Sequence, residues 1–142
     1  SGFQQVAVVD ERLHRAEALV RSFAKSAAHM DLRARPWHET VLEVEIARTK
    51  VLVDATGRGT AATSPIPAAL LAPGLLVMDL STAAVETRLM LDATAAGAER
   101  VANGDDVLIG RCAAAAGLWT GKVPDAAAIA DRLAALRATV AG

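Results

Sequence analysis

Residues 6–23 read Val6-Ala7-Val8-Val9-Asp10-Glu11-Arg12-Leu13-His14-Arg15-Ala16-Glu17-Ala18-Leu19-Val20-Arg21-Ser22-Phe23. The first four are apolar and mostly β-branched, and the run stops at a carboxylate, which is the pattern of a strand buried on both faces. Leu13, Ala16, Leu19, Val20 and Phe23 then recur at helical spacing, with Arg12, Arg15, Glu17 and Arg21 on the wet face. A buried strand running straight into an amphipathic helix is the opening of a βαβ unit.

The alternation continues along the chain. Further strands are predicted over 30–35, stopped by Pro36; over 51–53, ending in Asp54; over 75–78, ending in Asp79; and over 99–102, before Asn103-Gly104. Helices are predicted over 40–48, over 86–96 with Gly97 as its stop, over 106–120, and over about 124–141, opened by Pro124-Asp125 with Ile129, Leu133 and Leu136 as its stripe. The 106–120 segment is apolar enough to be expected buried on several sides. Pro65, Pro67 and Pro73-Gly74 punctuate the long connection between Thr56 and Leu75. Strands alternating with helices predict an α/β fold with a mostly parallel sheet, read as one domain over 1–142.

Composition narrows the function classes. Hydrophobic residues make up 53% of the 142 and charged residues 22%, so the chain is not disordered. Alanine supplies 33 residues and aromatics only 3%, which favours closely packed layers and offers few rings for stacking bases. A net charge of −1 gives no electrostatic case for nucleic acid or for an anionic membrane. The longest apolar run is far shorter than the roughly 20 residues needed to span a bilayer. No targeting pattern is visible, and a cytoplasmic location is expected. Cys112 is the single cysteine, which excludes an internal disulfide, and it reads as a buried small hydrophobe. The chain begins Ser1-Gly2 rather than with Met, which reads as processing, tagging or cutting.

Asp10 has two readings. It can cap the following helix by accepting backbone N–H groups. It can also hydrogen-bond a cofactor ribose, the role an acid plays at the end of a strand in dinucleotide-binding folds, where it repels a 2′-phosphate. Glu11 strengthens that repulsion and Arg12 softens it. Asp54-Ala55-Thr56-Gly57-Arg58-Gly59 follows a strand, and its two glycines allow close backbone approach to a ligand or simply a flexible turn. Neither G-x-G-x-x-G nor the phosphate loop of nucleotide triphosphatases occurs. His14, His29 and His38 lack a second ligand type at metal spacing, so no metal is expected, and His38-Glu39 reads as a helix start. Ser64 and Ser81 lack a nucleophile-elbow context.

Several ordered blocks resemble the C-terminal, nucleotide-binding part of the shikimate and quinate/shikimate dehydrogenases. Val53-Asp54-Ala55-Thr56 with Gly59 resembles the family's N-A-T-x-x-G-M loop. The segment 67–79 resembles P-L-P…L…P-G-x-x-V-x-D, and Val85-Glu86-Thr87-Arg88-Leu89-Met90 resembles P-x-E-T-x-L-L. Asn103-Gly104-Asp105-Asp106-Val107-Leu108-Ile109-Gly110-Arg111 stands where the family has D-G-L-G-M-L-V-H-Q. Leu118-Trp119-Thr120-Gly121 matches L-W-T-G, and Val8-Val9-Asp10-Glu11-Arg12 resembles V-V-N-R-T.

The resemblance implies a Rossmann-like three-layer domain and hydride transfer between a nicotinamide and a hydroxyl of a shikimate- or quinate-like ring acid. The family's catalytic residues belong to a separate substrate domain, so none is assigned here. Asp10, Glu11 and Arg12 fall at the ribose and 2′-phosphate site, and the acids there imply NAD rather than NADP. Thr56 falls along the cofactor, Leu80 and Gly104 flank the nicotinamide, and Asp106 stands in the same cofactor loop. Thr82 replaces a substrate-side Tyr, Ala84 a Pro, Asp106 a Gly, and Gly110-Arg111 a His-Gln pair whose Gln touches substrate. Arg111 is left as a candidate for a substrate carboxylate. These departures also suit a non-catalytic binding or interaction module.

In this family the usual first strand, its Gly-rich phosphate loop and the next helix come before the position of Val6. That strand is the centre of the sheet in the order 3-2-1-4-5-6. Without it the strands at Val6 and Val51 lose their common neighbour, and the pyrophosphate-binding helix terminus is lost with the loop. Three outcomes are expected to compete: a substrate domain or complementary chain supplies the strand, the two strands pair directly, or the chain forms a homo- or hetero-oligomer through open edges. The chain alone is expected to bind NAD weakly or not at all.

Overall fold

The computed structural model describes residues 3–82 and 86–140. The chain divides into two compact units, residues 1–49 and 50–142.

The first unit contains β1 (Gln5–Asp10), α1 (Leu13–Phe23), β2 (Asp31–Pro36) and α2 (Glu39–Ala47). β1 and β2 are parallel, in register from Gln5 opposite Asp31 to Asp10 opposite Pro36. α1 is the crossover between them, and it buries Ala16, whose small side chain permits close approach to the strands. α2 buries Leu42 and Ile46, and His38 stands at its N-cap position, as the sequence suggests.

The second unit contains β3 (Val51–Asp54), β4 (Leu76–Asp79), α3 (Arg88–Ala95), β5 (Arg100–Ala102), α4 (Gly104–Thr120) and α5 (Ala126–Val140), with a short 3-10 turn at Ala68–Leu70. Its three strands are parallel in the order β3-β4-β5. Ile66, Leu71, Leu75, Val77, Leu89, Met90 and Ala93 form its core, with α3 laying Leu89, Met90 and Ala93 onto the sheet. Gly97 (φ +79°) follows the α3 cap and Gly121 (φ +71°) is the α4 cap, left-handed positions that a glycine adopts without a Cβ penalty.

All described strand pairs are parallel and the alternation of strand and helix is as expected; the fold is Rossmann-like. Among the described residues, β1 pairs with β2 alone and β3 with β4 alone.

Other expectations are corrected. α4 starts at Gly104, two residues early, because Asn103 caps it in a capping box with Asp106. α3 starts at Arg88 because Thr87 is its N-cap. α4 is also not buried on several sides. Gly104 is its only buried residue among those described, and Leu118 and Trp119 are 86% and 84% exposed. Cys112 is exposed rather than buried, in an open cavity that α4 shares with Ile129, Leu133 and Leu136 of α5. Ala84 and Val85 lie outside the described residues.

Candidate functional site

In the first unit the strand-end carboxylate is fixed by the backbone around it. Asp10 Oδ1 accepts the Arg12 N–H at 2.8 Å, and the Asp10 carbonyl accepts the Trp37 N–H at 3.0 Å. The N-cap position of α1 is Arg12, with no side-chain cap bond, so Asp10 does not cap the helix. Its carboxylate instead closes a tight turn at the carboxyl end of a parallel strand, where α/β folds bind ligands. Glu11 and Arg12 are exposed beside it.

In the second unit Leu80, Ser81 and Gly104 come together. The Leu80 N–H donates to the Asp54 carbonyl at 2.9 Å, and the Gly104 N–H donates to the Ser81 carbonyl at 3.0 Å. A Cβ on Gly104 would overlap the Leu80 carbonyl oxygen and stand 2.7 Å from the Ser81 carbonyl oxygen, so only glycine fits. Thr56 is tied to the same strand ends, its N–H donating to Asp54 Oδ1 at 2.8 Å. Gly57 beside it takes φ +64°.

Asp106 is engaged locally. Its Oδ2 accepts the Asn103 N–H at 3.1 Å, and its own N–H donates to Asn103 Oδ1 at 3.0 Å. Arg111 stands two helical turns beyond Gly104 on the same face of α4 and is exposed. Thr82 is exposed, and its carbonyl accepts Arg137 Nη2 at 2.9 Å. The acids of the α4 first turn, Asp105 and Asp106, make that helix start a poor seat for phosphate.

Sequence reasoning missed a buried pair of carboxylates. Asp54 and Asp79 end adjacent strands in register and are 4% and 0% exposed. Asp79 accepts the Thr87 hydroxyl at 2.6 Å and the Ser81 N–H at 2.9 Å. Burial pushes the Asp79 carboxyl up, but the hydrogen bonds from Thr87 and Ser81 together outweigh it and hold it below the usual carboxylate range. Asp54 Oδ2 is buried without a hydrogen-bond partner. Both acids meet at Gly59: a Cβ there would stand 3.4 Å from Asp79 Oδ2 and 3.8 Å from Asp54 Oδ2. The available signal was that two predicted neighbouring strands both end in Asp.

Among the described residues no group of three or more His, Cys, Asp or Glu side chains is placed to hold a metal ion. No helix among them is long and apolar enough to cross a membrane.

Parallel strands alternating with helices define a Rossmann-type α/β protein, with a fixed carboxylate at one strand end and a glycine-permitted close approach at another. No protein-family model matches the chain. It is 32% identical over 142 residues to the shikimate dehydrogenase (NADP(+)) of Bordetella petrii, covering 99% of this chain and 48% of that protein. The quinate dehydrogenase of Corynebacterium glutamicum, solved in complex with NAD, superposes with a TM-score of 0.78 at 25% identity, over 93% of this chain and 46% of that one. The shikimate 5-dehydrogenase of Thermus thermophilus, solved in complex with shikimate, gives 0.65 at 34% identity, over 86% and 41%. The chain is thus related in sequence and fold to the shikimate and quinate dehydrogenases, and it spans about half the length of the curated relative it matches.

Proposed function

We propose that this chain is the nicotinamide-cofactor-binding half of a shikimate- or quinate-type dehydrogenase. The observation that carries the reading is the match along 99% of the chain to a protein about twice its length. When bound, the nicotinamide supplies a hydride acceptor or donor for a ring-acid hydroxyl. The chain's own residues bind and orient. Asp10 holds the ribose hydroxyls from the end of β1. Leu80 and Gly104 form the wall against which the nicotinamide lies, with Thr56 beside the dinucleotide. Thr82 and Arg111 face the substrate side, and Arg111 offers a guanidinium to a substrate carboxylate.

NAD is favoured over NADP because Asp10 and Glu11 put two carboxylates where a 2′-phosphate would sit. The relatives include proteins named for or solved with either cofactor, so the preference rests on these two residues. No residue of this chain is assigned a catalytic proton transfer. Turnover requires a substrate domain, in the same chain or another, and the second expected partner is a complementary chain or further copy at the open strand edges.

NADH and NADPH fluorescence titrations test the reading. The isolated chain is expected to bind NADH weakly, since its 142 residues contain no Gly-rich phosphate loop. A low-micromolar dissociation constant for the chain alone would overturn that expectation. With a substrate domain present, NADH should bind more tightly than NADPH, and Asp10→Ala should erase the difference. A preference for NADPH in the unaltered protein would refute the role given to Asp10 and Glu11.

The second reading is a Rossmann-like interaction module without turnover. It is favoured by the exposure of Leu118, Trp119 and Val123 at the end of α4, a cluster suited to burial against a partner.

A further inference from the structure

Arg137 lies on α5, the last helix, and reaches two elements of the second unit at once. Its Nη2 donates to Asp105 Oδ1 at 2.7 Å and to the Thr82 carbonyl at 2.9 Å, and its Nη1 donates to Asp105 Oδ2. Asp105 is in the first turn of α4, directly after Gly104. Thr82 is directly after Ser81, whose carbonyl receives the Gly104 N–H. The guanidinium therefore bridges the two backbone segments that meet at Gly104. The pair is largely shielded, the side chains being 32% and 18% exposed.

We propose that Arg137 is a positioning residue for the nicotinamide side of the site. It holds the α4 first turn and the 80–82 backbone in one fixed relation and so sets where the Leu80–Gly104 wall stands. The assignment of that wall to the nicotinamide rests on the function proposed above; the bracket itself rests on the contacts of Arg137. Leu80 N–H to Asp54 and Ser81 N–H to Asp79 restrain this stretch from the strand side, and the Gly104 N–H to the Ser81 carbonyl ties it to α4 through the backbone. Arg137 adds a side-chain restraint from the helix side that spans Asp105 and Thr82.

The chemistry requires arginine. Each terminal nitrogen of a guanidinium carries two hydrogens in one plane, so Nη2 serves Asp105 and Thr82 together while Nη1 completes the bidentate pair. A lysine ammonium keeps the charge but lacks that planar fork. Arg137→Lys therefore separates charge from geometry.

The test is residue-resolved amide hydrogen exchange on the full chain, comparing the unaltered protein with Arg137→Lys, Arg137→Ala and Asp105→Asn. Both Arg137 variants are expected to speed exchange at the Gly104 and Ser81 amides by tenfold or more, while Val77 and Met78 in β4 keep their protection. Asp105→Asn, which retains the Thr82 contact, should fall between. Unchanged protection at Gly104 in Arg137→Ala overturns the proposal, and so does full rescue by Arg137→Lys.

A second measurement addresses the cofactor. Saturation transfer from the protein to the nicotinamide protons of NAD, relative to the adenine protons, should fall in both Arg137 variants. A mere loss of stability would lower both signals together. An unchanged ratio would refute positioning of the nicotinamide side. Absence of transfer to either ring in the unaltered chain, in the presence of its substrate domain, would instead refute the cofactor reading, leaving hydrogen exchange to decide whether Arg137 fixes the backbone.

Discussion

Replacing Gly104 with alanine tests the close approach on which the candidate site is built. The added methyl would overlap the Leu80 carbonyl oxygen and stand 2.7 Å from the Ser81 carbonyl oxygen and 2.8 Å from the Leu80 carbonyl carbon. All three are backbone atoms at the end of a paired strand, so none can turn aside as a side chain would. Restoring ordinary contact requires the two segments to separate by roughly 1 Å, an overpacking that costs about 1–3 kcal/mol. The same movement stretches the 3.0 Å bond from the Gly104 N–H to Ser81, worth about 1 kcal/mol. Alanine returns up to about 1 kcal/mol through helix propensity. The net expectation is destabilisation of about 1–3 kcal/mol.

Gly110 is the internal control. It is on the same helix, is exposed, and has no atom within 4 Å of its would-be Cβ. Gly110→Ala should therefore stabilise by about 0.5–1 kcal/mol. Urea denaturation followed by far-ultraviolet circular dichroism measures both, with an unchanged slope required for the comparison. If Gly104→Ala fell within about 0.5 kcal/mol of Gly110→Ala, the close approach would be refuted and the wall at Leu80 with it.

Thr87→Val removes the hydroxyl that donates to Asp79 and accepts the Met90 N–H, and should cost about 1–3 kcal/mol at neutral pH. Asp79 titrates lower in the folded chain than in the unfolded one, so its stabilisation is complete above the ordinary carboxylate range and is lost as pH falls through the folded value. Thr87→Val should therefore flatten the acid side of the stability profile, and an unaltered acid limb would contradict the role given to that bond. Glu45 is likewise held below its usual range by hydrogen bonds from Arg48 and Arg35, against burial. Glu45→Gln should cost only about 0.2–1 kcal/mol, because both arginines remain partly in water; thermal melts of the two proteins would measure it.

The legible part of the fold was its local part. Three valine- or leucine-rich runs ending in Asp and a weaker run stopped by Pro36 became parallel strands, and Gly97 marked the end of α3. Helix starts were displaced where side-chain caps decide them. Asn103 and Asp106 form a reciprocal pair three residues apart, a signal present in the sequence but overshadowed by the apolar run after it. Composition misjudged α4. Its apolar character suggested burial, yet a helix is buried only where another element covers it, and composition cannot say which faces are covered. Among the site residues, the resemblance implied that Leu80 and Gly104 flank a nicotinamide; that their backbones touch is visible only in the structure. Asp106, which the resemblance puts in the cofactor loop, bonds its own helix start.

Taken alone, the sequence determined an α/β chain of parallel strands, because strand and helix periodicities are written within each short segment. It also carried the resemblance to the shikimate and quinate dehydrogenases and the acids at residues 10 and 11 on which the cofactor preference rests. Tertiary structure alone decided that Asp54 and Asp79 are buried together beside Gly59, and that Arg137 spans Asp105 and Thr82 from 32 and 55 residues away. Such contacts depend on how loops close and which strands register, and no local pattern encodes them.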